Sequence, residues 1–225
     1  IKTKGDLIQN LSFDKIEGKG FFTKEIENEL LNQSIDIAVH SLKDLETDQP
    51  KGLSIAAIPL RENPADTLLI NKEFVDSSQT LELIPNAVVG TSSSRRKNQL
   101  LFFREDLKIK DLRGNVPTRI EKLRKRNYHA ILLAKAGLNR LDIDLSHFIV
   151  KDLSPSTFIP APAQGALGIQ VRENDHDLIK RLSFLINKQT FENVSFERQI
   201  LNNFGGGCHY PFGAYSKLQN NGRRI

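Results

Sequence analysis

The feature that most constrains the fold is the alternation of short apolar runs with helix-like segments through the middle of the chain. Residues 87–90 and 130–133 have the composition of buried strands. Each run leads into a segment with helical spacing, over 95–103 after the first and through 138–141 after the second. Strands that alternate with helices predict an α/β fold with largely parallel sheets.

The same patterns extend along the rest of the chain. Further strands are predicted over 35–39, 53–58, 67–70, 107–109, 148–150 and 165–171, and further helices over 21–32, 118–126, 175–186 and 190–204. No apolar run approaches the ~18 residues of a membrane-spanning helix. A single cysteine excludes an internal disulfide framework and fits a reducing compartment.

The basic charge narrows the class of partner. A net charge of +5 suits nucleic acid, an anionic membrane surface or a polyanionic small molecule. The arginines of the middle third are Arg95, Arg96, Arg104, Arg113, Arg119, Arg124, Arg126 and Arg140. Arginine suits two-point recognition of carboxylate or phosphate, and the aromatic residues are not interleaved with these arginines as stacking platforms for bases. We therefore expect a small anionic ligand, with no nucleic acid and no membrane as partner.

Two strand-to-helix junctions have the composition of anion sites. Thr91, Ser92 and Ser93 precede Arg95 and Arg96, and hydroxyls with free N–H groups at a helix start attract anions. The alternative is that one serine caps the helix while the arginines are solvated. The sequence favours neither interpretation over the other.

The second junction repeats this design. Arg113 and Arg119 flank a turn, with Pro117 near the first helical position. Arg140 adds a further cation, so the sequence indicates a ligand with several negative groups.

Polar residues also follow the predicted strand 35–39. His40 and Asp44 share one face and Ser41 and Lys43 the other, if the strand continues. The carboxyl end of a parallel strand is where α/β proteins build sites. A solvated loop carboxylate is the alternative for Asp44, and spacing alone favours that alternative.

Cys208 follows three glycines, which leave room for a bulky group to approach the sulfur. It is a candidate attachment point or nucleophile, although a buried, inert thiol is the commoner case. None of the histidines has metal-ligand spacing with another histidine or with Cys208, so no metal site is predicted.

Taken together, the motifs resemble the porphobilinogen deaminase family, also called hydroxymethylbilane synthases. The matching segments, in the family's order, are 18–22, 36–44, 89–96, 112–119, 133–140, 162–166 and 206–208. Ser94 stands where a larger apolar residue is usual, and Leu45-Glu46 replaces a proline-containing continuation. The family's first strand and helix have no counterpart before Ile1, and the last domain is expected to be incomplete at Ile225.

The resemblance implies an enzyme that adds four porphobilinogen units to a dipyrromethane cofactor and releases ammonia with each. The cofactor is implied to be joined by a thioether to Cys208, and Asp44 to hold the pyrrole N–H groups and stabilise developing positive charge. The implied carboxylate-binding arginines are Arg95, Arg96, Arg113, Arg119 and Arg140. Other implied binding residues are Lys19, Ser41, Lys43, Thr91, Ser92, Ser93 and Gln164. A cytoplasmic monomer is expected.

The implied architecture has two lobes like the halves of a periplasmic binding protein, with the ligand site in the cleft between them. Domain 1 is expected over 1–62 and 164–184, domain 2 over 66–158, and a small α/β domain 3 over 188–225. The competing hypothesis is a non-catalytic polycarboxylate-binding module of the periplasmic-binding-protein type. It explains the lobes and the arginines but gives no role to Cys208 or Asp44.

Overall fold

The structure, a computed structural model, describes residues 23–205, 211–219 and 222–224. The chain divides into two compact units. Unit 1 comprises residues 1–62, 161–208 and 214–225, and unit 2 comprises 63–160 and 209–213. The predicted α/β class is confirmed, and the first unit is discontinuous in sequence. The boundaries of the three expected domains stay a prediction.

The helices of the described residues are α1 (Lys24–Leu31), α2 (Ser94–Phe103), α3 (Val116–Arg124), α4 (Lys135–Leu141), α5 (His176–Leu182) and α6 (Lys188–Asn203). The strands are β1 (Ala38–Ser41), β2 (Leu53–Ala57), β3 (Asp66–Asn71), β4 (Val88–Gly90), β5 (Lys108–Lys110), β6 (Ala130–Ala134), β7 (Phe148–Leu153), β8 (Leu167–Arg172), β9 (Lys217–Gln219) and β10 (Gly222–Arg224). Short 3₁₀ turns occupy Leu42–Asp44, Lys72–Phe74, Thr80–Glu82 and Ser183–Leu185. No helix in these parts of the chain is long and apolar enough to cross a membrane.

Unit 2 is built on a five-stranded sheet in the order β5-β4-β6-β3-β7. Strand β4 runs parallel to β5 and β6, whereas β3 runs antiparallel to β6 and β7. Leu68 and Leu69 of β3 point to opposite faces, where they join separate apolar clusters. Leu100 of α2 packs in the first cluster, and Ile120 of α3 packs in the second. The central strands are therefore buried on both faces, which explains their continuous apolar runs.

Unit 1 has a three-stranded sheet in which β8 lies between β1 and β2 and runs antiparallel to both. Leu30 of α1 packs with Ala38 and Leu53 on this sheet. A second apolar cluster joins the turn at Leu42 to Val194 of α6. This second cluster fixes the position of the segment that carries Asp44.

Two sequence-based expectations about the strands were wrong. The sheets are not largely parallel, because β3 and β8 run against both of their neighbours, and an apolar run does not encode strand direction. The strand expected over 35–39 occupies Ala38–Ser41 and ends in a 3₁₀ turn at Leu42. His40 and Asp44 therefore do not share a strand face, and Asp44 does not follow a parallel strand.

Candidate functional site

Asp44 lies in a short turn whose apolar residues hold it in place. Leu42 and Leu45 are 0% and 2% exposed. Because side chains three residues apart lie above one another in a 3₁₀ turn, the two leucines share the inner side. Lys43 is half-buried and Asp44 is exposed, as is Ser41 at the end of β1. The turn thus presents a carboxylate to solvent on an anchored backbone.

The segment 163–166 packs against this turn and forms a hydrogen bond to its first residue. Leu42 donates its backbone N–H to the Ala166 carbonyl at 3.0 Å. Ala163 has a left-handed φ of 60°, and its N–H donates to the Glu197 carboxylate at 2.7 Å. Gln164 is fully buried, and its carbonyl accepts from the Arg61 guanidinium at 2.8 Å. The role of Gln164 toward a ligand stays a prediction.

In unit 2 the predicted arginines all lie in segments that follow the carboxyl ends of parallel strands. Strands β4, β5 and β6 are parallel neighbours, and each leads at its carboxyl end into a segment that carries predicted site residues. These residues are Thr91, Ser92, Ser93, Arg95 and Arg96 after β4, Arg113 and Arg119 after β5, and Arg140 after β6. The carboxyl ends of such strands are where parallel α/β sheets build their sites.

The hydroxyls of the first junction bind the local backbone. Ser93 is the N-cap of α2 and accepts from the Arg96 N–H at 3.4 Å. Ser92 donates to the Leu112 carbonyl at 3.1 Å, and its oxygen accepts the Leu112 N–H at 3.0 Å. The Thr91 hydroxyl accepts from the backbone of Ser93. These bonds join the first arginine segment to the second.

Arg95 and Arg96 are buried, and both pair with Asp66 at the start of β3. Asp66 is 0% exposed and accepts from Arg95 at 2.8 Å and from Arg96 at 2.7 Å. Arg95 also donates to the Ile159 carbonyl, and Arg96 to the Leu132 carbonyl. Burial alone would raise the pKa of Asp66, but the charges of Arg96 and Arg95 hold that pKa well below its usual range. The expectation of solvated arginines, one of the two interpretations left open by the sequence, was therefore wrong.

The second junction is a tight turn with proline at the start of the helix, as predicted, and with an asparagine cap that was not predicted. Asn115 caps α3 by accepting the Thr118 N–H at 2.9 Å, with proline in the first turn. Gly114 has φ +108°, a conformation that favours glycine. Arg119 donates through Nε to the Gly114 carbonyl at 2.7 Å. Arg113 and Arg119 are half-buried, and Arg140 is exposed.

Lys19 and Cys208 lie outside the described residues, and the cleft between domains stays a prediction. Within the described ranges, no group of three or more His, Cys, Asp or Glu side chains could hold a metal ion.

Sequence reasoning missed three charged residues next to the predicted ones: Asp66 and Glu197, which are buried, and Arg198, which is half-buried. Asp66 is the first residue of the apolar strand β3, a position at which burial of a carboxylate requires a cationic partner. Glu197 and Arg198 stand within α6, where Glu197 is 0% exposed. A charged residue in the buried stripe of an amphipathic helix was the available indication for Glu197.

Comparison with known proteins places this chain in a well-defined sequence group. A family model described as porphobilinogen deaminase, dipyromethane cofactor binding domain, matches residues 1–180. A second, porphobilinogen deaminase, C-terminal domain, matches residues 191–225. Together the two models account for nearly the whole chain.

Individual relatives agree with the family models. The porphobilinogen deaminase of Maridesulfovibrio salexigens is 48% identical over 219 residues, which cover 97% of this chain and 69% of the relative. That of Bacillus subtilis is 46% identical over 218 residues, covering 97% and 68%. Among solved structures, an ancestral cationic amino acid solute binding protein aligns with a TM-score of 0.45 and 14% identity, over 81% of this chain and 70% of that one. That TM-score is too low to support an argument about this chain.

Proposed function

Because the chain belongs to the porphobilinogen deaminase family, we propose that Asp44 is its catalytic carboxylate and that the arginines of unit 2 bind the carboxylates of its ligands. The activity is that of a transferase in porphyrin biosynthesis. Four porphobilinogen molecules condense in turn on a covalent dipyrromethane primer, with loss of ammonia, to give the linear tetrapyrrole hydroxymethylbilane.

The donor set of unit 2 fits such a primer. The dipyrromethane group supplies the pyrrole ring that accepts the first substrate unit, and it carries acetate and propionate side chains. Arg113 and Arg119 follow β5, and Arg140 follows β6, the two strands that flank β4 and run parallel to it. Guanidinium groups bind carboxylates in pairs of parallel hydrogen bonds, so we assign these arginines to the side chains of primer and substrate.

The electrostatic field of the buried pair Arg95 and Arg96 also supports the binding of an anionic ligand. Two guanidinium charges and the single Asp66 carboxylate leave one net positive charge in a largely dry environment. That residual charge attracts an anionic ligand, and the fixed partners keep Arg95 and Arg96 from moving as it binds. We propose contributing roles for Lys19, Ser41, Lys43, Thr91, Ser92, Ser93 and Gln164 in binding, and attachment of the primer through Cys208.

Asp44 has the surroundings that its proposed role needs. The carboxylate is exposed, so a pyrrole N–H can reach it, while Leu42 and Leu45 hold its backbone in the apolar cluster. We propose that it accepts the pyrrole N–H and stabilises the positive charge that develops as ammonia leaves. A charge fixed in advance at the reacting centre is commonly a leading catalytic contribution.

The match of the dipyrromethane-binding domain over residues 1–180, which include Asp44, is the observation that carries this proposal. The test uses full-length protein from its natural host. Mass spectrometry should find a dipyrromethane adduct on the Cys208 peptide. Asp44→Asn should lower the rate of porphobilinogen consumption about 10²–10³-fold, whereas Asp48→Asn, a nearby exposed aspartate, should retain a normal rate.

Near-normal turnover in Asp44→Asn would remove Asp44 from catalysis. A protein that binds polycarboxylates but carries no adduct and consumes no porphobilinogen would instead support the non-catalytic binding module. The expected cytoplasmic location and monomeric state remain part of the proposal.

A further inference from the structure

Arg198 of α6 reaches the backbone on both sides of Asp44. Its Nη1 donates to the carbonyls of Leu42 and Leu45, each at 2.9 Å, and its Nη2 donates to the Glu46 carbonyl at 2.5 Å. One guanidinium group therefore holds the peptide oxygens that come two residues before Asp44 and one and two residues after it. The side chain of Arg198 is half-buried.

The contact is well suited to fix a short turn. The Leu42 carbonyl also accepts the Leu45 N–H at 3.4 Å, and the Glu46 carbonyl accepts from the Gln49 side chain at 2.8 Å, so Arg198 adds a donor from another element to bonds made within the segment. A guanidinium group is planar and presents its N–H donors in a rigid fork, so several carbonyls bound to it must keep a set geometry. Carbonyls held before and after Asp44 fix the direction in which its side chain leaves the backbone.

The helix that carries Arg198 is itself held firmly. The neighbouring Glu197 is fully buried and accepts from the Arg61 guanidinium at 2.7 and 3.0 Å and from the Ser216 N–H at 2.8 Å. One helical turn beyond Arg198, the Asn202 side chain accepts from the Thr47 hydroxyl at 3.2 Å. Arg198 thus transmits the position of an anchored helix to the turn.

We propose that Arg198 is a positioning residue that aims the Asp44 carboxylate at the reacting pyrrole. This inference rests on the catalytic role proposed for Asp44. A misplacement of about 1 Å at a reacting centre can cost about 10²-fold in rate. We therefore expect Arg198→Met to lower kcat about 10–100-fold, while KM for porphobilinogen stays within about twofold because Arg198 acts on the backbone and not on the ligand.

The experiment is a double-mutant cycle in the cofactor-loaded holoenzyme. Rates are measured for wild type, Arg198→Met, Asp44→Asn and the double variant, each divided by the fraction of molecules that carry the cofactor by mass spectrometry. If Arg198 acts through Asp44, the Arg198 substitution should change kcat less than about twofold in the Asp44→Asn background. Arg198→Lys keeps the charge and the alkyl stem, so it should retain more of the rate than Arg198→Met. If the methionine variant does not fold, the lysine variant replaces it in the double-mutant cycle.

Arg172→Met is the matched control. Arg172 lies in the same unit and binds the carbonyls of Leu30 and Ile35 at 3.0 and 2.8 Å, away from Asp44. Its loss should lower the melting temperature and leave kcat per loaded molecule unchanged.

The possible outcomes separate this inference from the proposed function. A slow Asp44→Asn enzyme together with an equal Arg198 effect in both backgrounds overturns the positioning role alone. A raised KM with unchanged kcat also overturns it, because Arg198 would then act in binding. Near-normal kcat in Asp44→Asn overturns the catalytic role of Asp44 and the inference with it.

Discussion

Unit 1 and unit 2 each use arginine to hold a functional segment, but they place the negative charge differently. In unit 2, Arg95 and Arg96 meet the Asp66 carboxylate, which is 0% exposed. In unit 1, Arg198 meets backbone carbonyls of a turn whose carboxylate, Asp44, faces solvent. The first arrangement buries an ion pair, and the second orients an exposed charge.

The difference has an energetic consequence. Removal of one partner from a buried ion cluster leaves uncompensated charge in a poorly solvated interior, which strongly destabilises the fold. Removal of an exposed carboxylate leaves no such charge. Substitutions in unit 2 should therefore reduce stability first, and substitutions around Asp44 should reduce the rate first.

The largest stability effect is expected for Asp66→Asn. The amide has the same shape but lacks the charge that Arg95 and Arg96 share, so we expect unfolding free energy to fall by about 3–5 kcal/mol. Urea denaturation measures this change. Asp152→Asn is the control, because Asp152 is 42% exposed where it pairs with Lys135, and its loss should cost under about 1 kcal/mol. Equal losses in the two variants would contradict the distinction between buried and exposed charge.

The fold class followed from the sequence because its cause is local. The apolar runs at β4 and β6, the serine that could cap α2 and the proline near the start of α3 were visible as patterns of neighbouring residues. The direction of β3 and β8 was not, because a strand buried on both faces has the same composition in either orientation. Strand direction depends on contacts between segments far apart in the chain.

In the candidate site, too, some residues could be recognised from the sequence and others could not. Asp44 and the arginines were identified by resemblance and by their place after strands. Their partners were not, because Asp66 lies 29 residues from Arg95 and Arg198 lies 156 residues from Leu42. Only the folded chain shows that Arg95 is paired and that the Asp44 turn is held from α6.

Acid should reveal the Asp66 contribution directly. The pKa of Asp66 in the folded protein lies well below its usual range, whereas in the unfolded chain it should be about 3.9. The unfolded state therefore takes up a proton first as pH falls, and the stabilisation, fully present above about pH 5, decreases below about pH 4. We expect the difference in unfolding free energy between wild type and Asp66→Asn to shrink steadily from pH 5 to pH 2. A difference that stays constant over this range would show that the aspartate is not paired as described.

A smaller effect, without any change of charge, is expected elsewhere in unit 2. Gly114 has φ +108°, and a Cβ there would lie 2.7 Å from Cγ2 of Thr118. Gly114→Ala should therefore lower the unfolding free energy by about 1–3 kcal/mol through backbone strain. Thermal unfolding measures this loss, and the dependence of stability on pH should stay that of the wild type. Gly137→Ala is the control, because its Cβ would meet its nearest neighbour, Val116, at 3.6 Å inside α4. Alanine there should be neutral or stabilise the helix by up to about 1 kcal/mol.

The smallest effect is expected where arginine and carboxylate are both exposed. Arg124 pairs with Glu121 on α3 at 3.0 Å, with side-chain exposures of 47% and 46%. Water solvates both charges whether or not they are paired, and ordering two long side chains costs entropy, so Arg124→Ala should change the unfolding free energy by about 0.2–0.5 kcal/mol. That change should vanish in about 1 M salt, because screening then acts over only about 3 Å, whereas the Asp66→Asn loss should persist since those groups are shielded from ions. If salt removed both effects equally, burial would not explain the difference between the arginine pair of unit 2 and the exposed ion pairs.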